Sequence, residues 1–501
     1  MNEQVTVLVN NSCVTAEHGT FLSEIVKGEK PCGGHGKCGK CKVFAKGELS
    51  PVTEEEQRLL SLEEIEQGVR LACVTRVLGD CAVKTLSSNG KTEILTDGAL
   101  PEFQLEPAFT RYGVAIDIGT TTVAARLYNA EGKLLSDASV LNPQQEWGAD
   151  VVSRIEAALG GASELLADAI RNTLDTLITE LSACAGIDAK EIDGVVVTGN
   201  TVMLSLLVKE NMEPFARAPF DIRRFFGETL TAEELGLSSR VPETPIYLPP
   251  VISAYVGADT TSAILATRLC KGKTALLLDI GTNGEMALWR DGRLTVCSTA
   301  AGPAFEGVGI LMGMRGSIGA IDKVTVYNER LYAHVIGGGT PKGICGSGLV
   351  DAVAALLDLE MLDESGFLED GICTIEAPVA LSQKDVRMFQ LAKSAIAAGI
   401  ETLLRDEGVD RKEITTLYIA GGFGNYLNPK SAARVGLLHS SLARIAQTVG
   451  NAALSGAAMM LLSRDARKEA ETLAKSARTL ELSANPTFSE LYMMGMTFEA
   501  R

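Results

Sequence analysis

Hydrophobic and polar residues alternate over positions 4–10, the pattern of a short strand with one buried face, and a hairpin leads on to Val14–Glu17. Thr20–Val26 reads as a helix. Strand character returns at Val43–Lys46, after a glycine- and cysteine-rich loop at Cys32–Lys42. The acidic segment Ser50–Gly68 is predicted to be helical: Thr53 and Glu56 have capping-box spacing, and Leu59, Leu60, Leu62 and Ile65 supply an apolar side. Strand-like pieces at Arg70–Val77 and Cys81–Leu86 close a first unit, residues 1–86. Apolar periodicity then fades across 87–110, where Gly90, Gly98, Pro101 and Pro107 mark a linker longer than most connections within a compact domain.

From Arg111 onward the pattern occurs twice. Gly113–Leu127 reads GVAIDIGTTTVAARL and Ala275–Leu288 reads ALLLDIGTNGEMAL. Each sets Asp-Ile-Gly-Thr between two apolar strands and runs on to a turn, Asn129–Gly132 in one copy and Arg290–Gly292 in the other. Asp117 and Asp279 lie 162 positions apart, too far for a solenoid repeat and right for duplication of a whole α/β subdomain. Helical patterns at Asp150–Leu159, Glu164–Ala183 and Asp385–Arg405 fit mixed sheets covered by helices. The expectation for 111–501 is two related halves facing a cleft: about 111–270 plus C-terminal helices, and about 271–440.

Composition narrows the function. The 501 residues are 46% hydrophobic and 22% charged, which is globular chemistry with room for two or three domains. A net charge of −17 argues against nucleic-acid backbone binding, which needs a basic face. No apolar run is long enough to span a bilayer; the stretch Val350–Leu362 is broken by Asp351, Asp358 and Glu360. The start, MNEQVTVLVN, lacks a basic signal-peptide n-region, so a soluble cytoplasmic protein is the working frame. Unpaired cysteines there are ligands, reactive groups or small buried hydrophobes. Six of the eleven fall within the first 81 residues.

Four of those six have ligand spacing: Cys32-x5-Cys38-x2-Cys41, with Cys73 following in Arg70-Leu71-Ala72-Cys73. Four thiolates hold zinc or an iron–sulfur cluster. A structural zinc site usually has two Cys-x-x-Cys knuckles, and here only one pair has that spacing. The glycine-rich arch Cys32-Gly-Gly-His-Gly-Lys-Cys38-Gly-Lys-Cys41 lets backbone N–H groups turn inward toward sulfide. The loop resembles that of 2Fe–2S ferredoxins. The resemblance implies a β-grasp fold for 1–86, a 2Fe–2S cluster on Cys32, Cys38, Cys41 and Cys73, and one-electron transfer. His35 reads as a solvent-facing loop residue, and Cys13 and Cys81 as buried small hydrophobes.

Asp-Ile-Gly-Thr at a strand bend suits phosphate: glycine permits close approach, Thr hydroxyls and N–H groups donate, and Asp holds magnesium through water. A third element, Tyr418-Ile-Ala-Gly-Gly-Phe-Gly-Asn425, runs an apolar strand into a glycine-rich turn. Together these resemble the superfamily of sugar kinases, actin and heat-shock chaperones. That resemblance implies a duplicated actin-like (ribonuclease H-like) ATPase fold, making the whole chain an α/β and α+β multidomain protein that binds ATP and Mg2+. It implies a first phosphate loop at Asp117, Gly119, Thr120, Thr121 and Thr122, and a second at Asp279, Gly281, Thr282 and Asn283. Gly421, Gly422 and Gly424 become the adenosine motif. The segment Gly257–Ala266 becomes the connecting helix, in which Asp259 positions the attacking water; an N-cap role for Asp259 is the structural alternative, and both can hold at once. Glu285 and Glu306 are secondary acid/base candidates. Lys393 reaches adenine or is surface charge, and Cys345 reads as a small buried thiol. The runs Thr198–Thr201, Gly302–Gly307, Gly337–Thr340 and Gly343–Gly348 border the cleft or form tight turns.

An ATP clamp behind a one-electron carrier resembles the reductive activators of corrinoid-dependent methyltransferases. Pro249–Asp259, Gly343–Asp351, Gln390–Ile396 and Gly450–Ala453 carry the likeness through most of the chain. The resemblance implies that ATP hydrolysis drives an electron from the cluster to a corrinoid protein, returning inactive Co(II) to Co(I). It further implies a low-potential electron donor, whose identity the sequence does not give, and a homodimer. The short linker implies that a separate intermediate domain of longer relatives is reduced or missing. Other readings are a small-molecule kinase fused to a redox module, an ATP-dependent iron–sulfur reductase for another low-potential enzyme, and an ATP-dependent scaffold.

Overall fold

The computed structural model describes residues 4–9, 12–26, 41–60, 64–65, 67–85, 100–148, 150–237, 241–423 and 426–498. Cys32, Cys38, His35 and Gly424 lie outside the described residues. The initial alternation forms an antiparallel hairpin, β1 (Gln4–Val9) and β2 (Ser12–Glu17). With β3 (Lys42–Leu49), β4 (Val69–Leu71) and β5 (Val77–Thr85) it makes a mixed sheet of order β2-β1-β5-β3-β4, in which β1 and β5 are parallel. Val5, Val7, Val43 and Val83 pack with Leu22 of the helix Leu22–Ile25 to form its core.

Two expectations in this region change. Of the helix expected over Ser50–Gly68, Glu54–Leu59 forms, opened by the Thr53–Glu56 capping box and ended at Leu60, and residues 64–65 are again helical; 61–63 and 66 lie outside the described residues. The strand expected at Arg70–Val77 is split, with a turn between β4 and β5 that carries Cys73. Glu56 causes the split by pointing inward. Its carboxylate accepts from Arg70 Nε at 2.8 Å and Nη2 at 2.9 Å, from Leu71 N at 2.9 Å and from Thr75 Oγ1 at 3.0 Å. A buried charge needs such a ring of donors, and the chain bends to supply it.

In the first half of the repeat, β6 (Tyr112–Ile118), β7 (Thr122–Asn129) and β8 (Leu134–Leu141) form an antiparallel meander. The strands β9 (Ile192–Gly199), β10 (Glu228–Thr231) and β11 (Pro245–Leu248) complete the order β10-β11-β9-β6-β7-β8. In the second half, β12 (Ala275–Ile280), β13 (Gly284–Arg290) and β14 (Arg293–Thr299) repeat the meander. An insertion follows with β15 (Ala320–Tyr327), β16 (Arg330–Val335), β17 (Gly343–Ile344), β18 (Ile372–Glu376) and β19 (Val379–Ser382). Then β20 (Thr416–Ala420), β21 (Ala446–Thr448) and β22 (Arg478–Thr479) give the order β21-β20-β12-β13-β14-β22. Both β9 beside β6 and β20 beside β12 are parallel, as are β11 beside β9 and β21 beside β20. The same five-strand pattern therefore occurs twice, as the repeated tetrapeptide led us to expect.

The second sheet extends past residue 440 through β21 and β22. The end of the expected linker is also part of this architecture: Glu106 N donates to Leu462 O, Ala108 N to Leu461 O, and Phe109 is buried. Each sheet is covered by a long amphipathic helix. Ser163–Ala185 buries Leu166, Ile170, Leu174, Leu177 and Leu181 at helical spacing. Gln383–Asp406 does the same with Val386, Phe389, Ile396, Ile400 and Leu403. Between the halves, the helices Ala258–Ala266 and Ala452–Leu462 cross. Every residue of Ala452–Leu462 is buried. Gly456 makes the crossing possible, because a Cβ there would lie 2.0 Å from Ser262 O. Among the described residues, no helix is long and apolar enough to cross a membrane.

Candidate functional site

The duplicated strands deliver equivalent aspartates to one cleft. Asp117 lies one residue before the end of β6, and Asp279 holds the same position on β12. Asp279 pairs across the ladder with Glu285 of β13 and on its other side with Ala420 of β20. Asp259 arrives from the first turn of the helix Ala258–Ala266; its Oδ1 accepts from Thr260 N at 2.7 Å. The N-cap of that helix is Gly257, so Asp259 is free of the capping role. Asp117 Oδ2 accepts from Asn451 Nδ2 at 3.0 Å.

These carboxylates act on one another. Burial, then the Asp259 charge, pushes Asp117 up to about 7 against the opposing Asn451 hydrogen bond. Burial and Asp259 raise Asp279 to about 7. Burial lifts Asp259 to about 6, restrained by its Thr260 hydrogen bonds. Glu285 is driven well above the carboxylate range by burial and then by Asp259 and Asp279. Such mutual repulsion at the base of a cleft is what a divalent cation relieves.

The two phosphate loops are braced differently. In the first, Gly119 N donates to Thr122 O at 2.8 Å, Asn142 Nδ2 donates to Gly119 O at 2.9 Å, and Asn200 Nδ2 donates to Thr120 Oγ1 at 3.1 Å. The fully buried Arg154 donates to Thr120 O; burial lowers its pKa to about 10, opposed by Asp150 and Glu306. In the second, Gly281 N donates to Asn283 O and Gly302 N to Thr282 O, each at 2.9 Å, and Thr282 Oγ1 donates to Glu306 Oε1 at 2.6 Å. Beyond β20, Gly421 has φ +90°, and a Cβ there would meet Asp279 Oδ1 at 2.6 Å and Ile280 O at 2.7 Å. Only glycine lets the adenosine-motif turn lie against the second loop. Gly422 faces open space. Phe423 stacks on Phe305 with ring centroids 4.7 Å apart.

At the N-terminal sheet, the structure brings two of the four predicted thiols together. Cys41 Sγ and Cys73 Sγ are 3.1 Å apart, on segments joined by Ala72 N donating to Cys41 O at 2.9 Å. Other expectations resolve singly. Lys393 neither reaches the cleft nor lies on the surface: it is buried, donates to Thr497 O and sits 4.7 Å over the Phe498 ring, tying the chain end to its helix. Cys345 is a buried thiol at the N-cap of the helix Gly346–Asp358. Cys81 is buried as expected, whereas Cys13 is only half-buried and its N–H meets Cys184 Sγ at 3.0 Å. The runs Thr198–Thr201 and Gly302–Gly307 border the cleft through Asn200 and Glu306. Asn142 and Arg154 escaped the sequence reading, and Asn200 and Asn451 entered it only as members of the runs Thr198–Thr201 and Gly450–Ala453, with no role of their own. The available signal was a Gly-Asn pair at two strand-to-helix junctions: Asn200 and Asn451 cap their helices and also reach the site.

Two copies of one sheet, each ending in an Asp-Ile-Gly-Thr bend beside a shared acidic cleft, define the actin-like class of ATP-clamping domains. A family profile described as the C-terminal, ASKHA domain of RACo matches residues 273–501, and one described as the RACo middle region matches residues 112–272. The middle region is thus the first half of the repeat. Corrinoid activation enzyme RamQ of Eubacterium limosum is 36% identical over 421 residues, covering 77% of this chain and 70% of that protein. The [Co(II) methylated amine-specific corrinoid protein] reductase of Methanosarcina barkeri is 26% identical over 420 residues, 77% of each. The solved structure of a reductive activator for corrinoid, iron–sulfur protein is 28% identical, covers 98% of each chain and superposes with a TM-score of 0.70. The chain belongs to the family of corrinoid activation enzymes.

Proposed function

We infer that this chain is an ATP-dependent reductive activase that returns the cobalt of a partner corrinoid protein from Co(II) to Co(I). One observation carries the reading: two Asp-Ile-Gly-Thr bends tied together through Glu306 and a sheet with adjacent thiols occur in a single chain whose relatives bear corrinoid activation names. Family membership supports the use of ATP and of an iron–sulfur cluster.

The finer assignment rests on this chain's own residues. Cys41 and Cys73, already in contact on two turns of the five-stranded sheet, suit neighbouring ligands of a four-thiolate site that Cys32 and Cys38 would complete. An iron–sulfur cluster, here of the 2Fe–2S type, supplies single electrons when bound. Residues 1–86 would carry it, and 106–501 would form the clamp, with the intervening chain connecting the two. The hard oxygen donors Asp117, Asp259 and Asp279 suit water-mediated Mg2+, which would neutralise phosphate charge. Gly119, Thr120, Thr121 and Thr122 would present donors to phosphate from one half, and Gly281, Thr282 and Asn283 from the other. Gly421, Gly422 and Gly424 would give adenosine room. Asp259, whose charge both loop aspartates feel, would orient the attacking water. The clamp's contribution to reduction is limited to the difference in its affinity for the partner between nucleotide states. The proposal includes a low-potential electron donor, a cytoplasmic setting and a homodimer, which sedimentation checks.

The decisive experiment incubates the pre-reduced protein anaerobically with its cognate Co(II) corrinoid protein, with and without ATP. Loss of the Co(II) absorption and paramagnetic signals only with ATP is expected. A signal that persists despite ATP, or stoichiometric phosphorylation of a small molecule, rejects the reading.

A further inference from the structure

One carboxylate joins the two halves of the clamp directly. Glu306 Oε2 accepts from Thr121 Oγ1 of the first phosphate loop at 2.7 Å, and Glu306 Oε1 accepts from Thr282 Oγ1 of the second at 2.6 Å. Short hydroxyl-to-carboxylate bonds of this kind are among the stronger hydrogen bonds. Their two donors come from loops otherwise fixed to separate sheets. We propose that Glu306 is a positioning residue, a latch that ties the phosphate loops together in nucleotide-free protein and is displaced by the phosphates of a nucleoside triphosphate.

The physical basis is competition. A carboxylate offers two anionic oxygens to the two hydroxyls, as a phosphate would, so both anions need the same donors. Two like charges within a few ångströms of one another repel, and the donors cannot serve both. Arg154, which holds the first loop at Thr120 O, also feels the Glu306 charge, so the anion is balanced in place while it bridges the loops. Release would be felt beyond the phosphates. The adjacent Phe305 is buried and stacks on Phe423 of the adenosine turn, which links seating of the base to the segment that carries the latch.

The inference rests on the ATP reading, and its test separates the two. Full-length wild type, Glu306→Gln and Glu306→Asp are titrated with a non-hydrolysable ATP analogue and Mg2+. Amide hydrogen exchange is followed at 119–123 and 281–284 with and without the analogue. Glu306→Gln removes the competing charge and should bind the analogue about tenfold tighter, a change of about 1.4 kcal/mol. Glu306→Asp keeps the charge but is one methylene too short to span both loops, so it should gain less. Both variants should exchange faster than wild type at the two loops without nucleotide and match it with the analogue bound. Unchanged or weaker affinity in Glu306→Gln, or unchanged loop exchange, overturns the latch; a loss of hydrolysis at constant affinity assigns Glu306 to the chemical step and overturns it equally. Wild type that binds no analogue rejects the ATP reading itself.

Discussion

Glu56 is fully buried in the N-terminal sheet and Asp259 half-buried in the clamp, and the chain treats the two carboxylates in opposite ways. Burial disfavours the Glu56 charge, but Arg70 and the Thr53 and Leu71 amides outweigh it and hold the carboxyl below its usual range. Burial raises Asp259 to about 6 against hydrogen bonds from Thr260 and its own backbone, and its charge is felt by three other acids. A polar group that serves the fold is saturated by the chain's own donors. One that serves a ligand is left under-satisfied, so that the ligand completes it.

The sharpest way to break this contrast is Asp259→Asn. Hydrolysis of ATP should fall by about 10²–10⁴-fold, the range for removing a group that handles a proton in the transition state. Nucleotide-free thermal stability at pH 8 should hold or rise, because a source of repulsion has gone; a lower melting temperature would mean Asp259 serves the fold instead. The mirror experiment is Arg70→Met, which strands the buried Glu56 charge and should cost the N-terminal sheet about 3–5 kcal/mol. ATP hydrolysis by the clamp should stay intact, with denaturant unfolding read separately for the two regions.

Asn451→Ala tests a residue with one foot in each category. It loses the N-cap of Ala452–Leu462, worth about 1 kcal/mol, and releases Asp117. The expected outcome is modest destabilisation with a further rise in the Asp117 pKa, read by carboxyl-resolved titration in nucleotide-free protein. The smallest effect is on acidification. The folded pKa of Glu56 is depressed, so its contribution is fully present above its unfolded value near about 4.3 and is lost as pH falls through the folded value. Acid unfolding of the N-terminal sheet should therefore begin below about pH 4.3 and shift little in Asp259→Asn.

Much of the fold was legible because it is written in local periodicity. The alternation at 4–10, the capping box at Thr53–Glu56 and the twin Asp-Ile-Gly-Thr bends each reappear as elements. The strand expected at Arg70–Val77 failed because Glu56, acidic and apparently surface-bound by sequence, is the best-buried acid of its sheet. Lys393 misled for the same reason: a lysine on an amphipathic helix has no local mark of a backbone carbonyl 104 residues away. Within the site, the aspartates and glycines announced themselves by repetition. Arg154 and Asn142 did not, since bracing a loop requires only a donor at the right place in space.

The sequence by itself therefore determined the duplication, the two phosphate bends, the candidate thiol set and the strand and helix periods, because each depends on residues close together in the chain. Only the tertiary structure decided which carboxylates are satisfied and which are not, that residues 106–110 pack with the clamp, and that Glu306 spans both loops. Those outcomes follow from electrostatics and hydrogen bonding between groups far apart in the chain, 334 positions in the case of Asn451 and Asp117, and no local pattern encodes such distances.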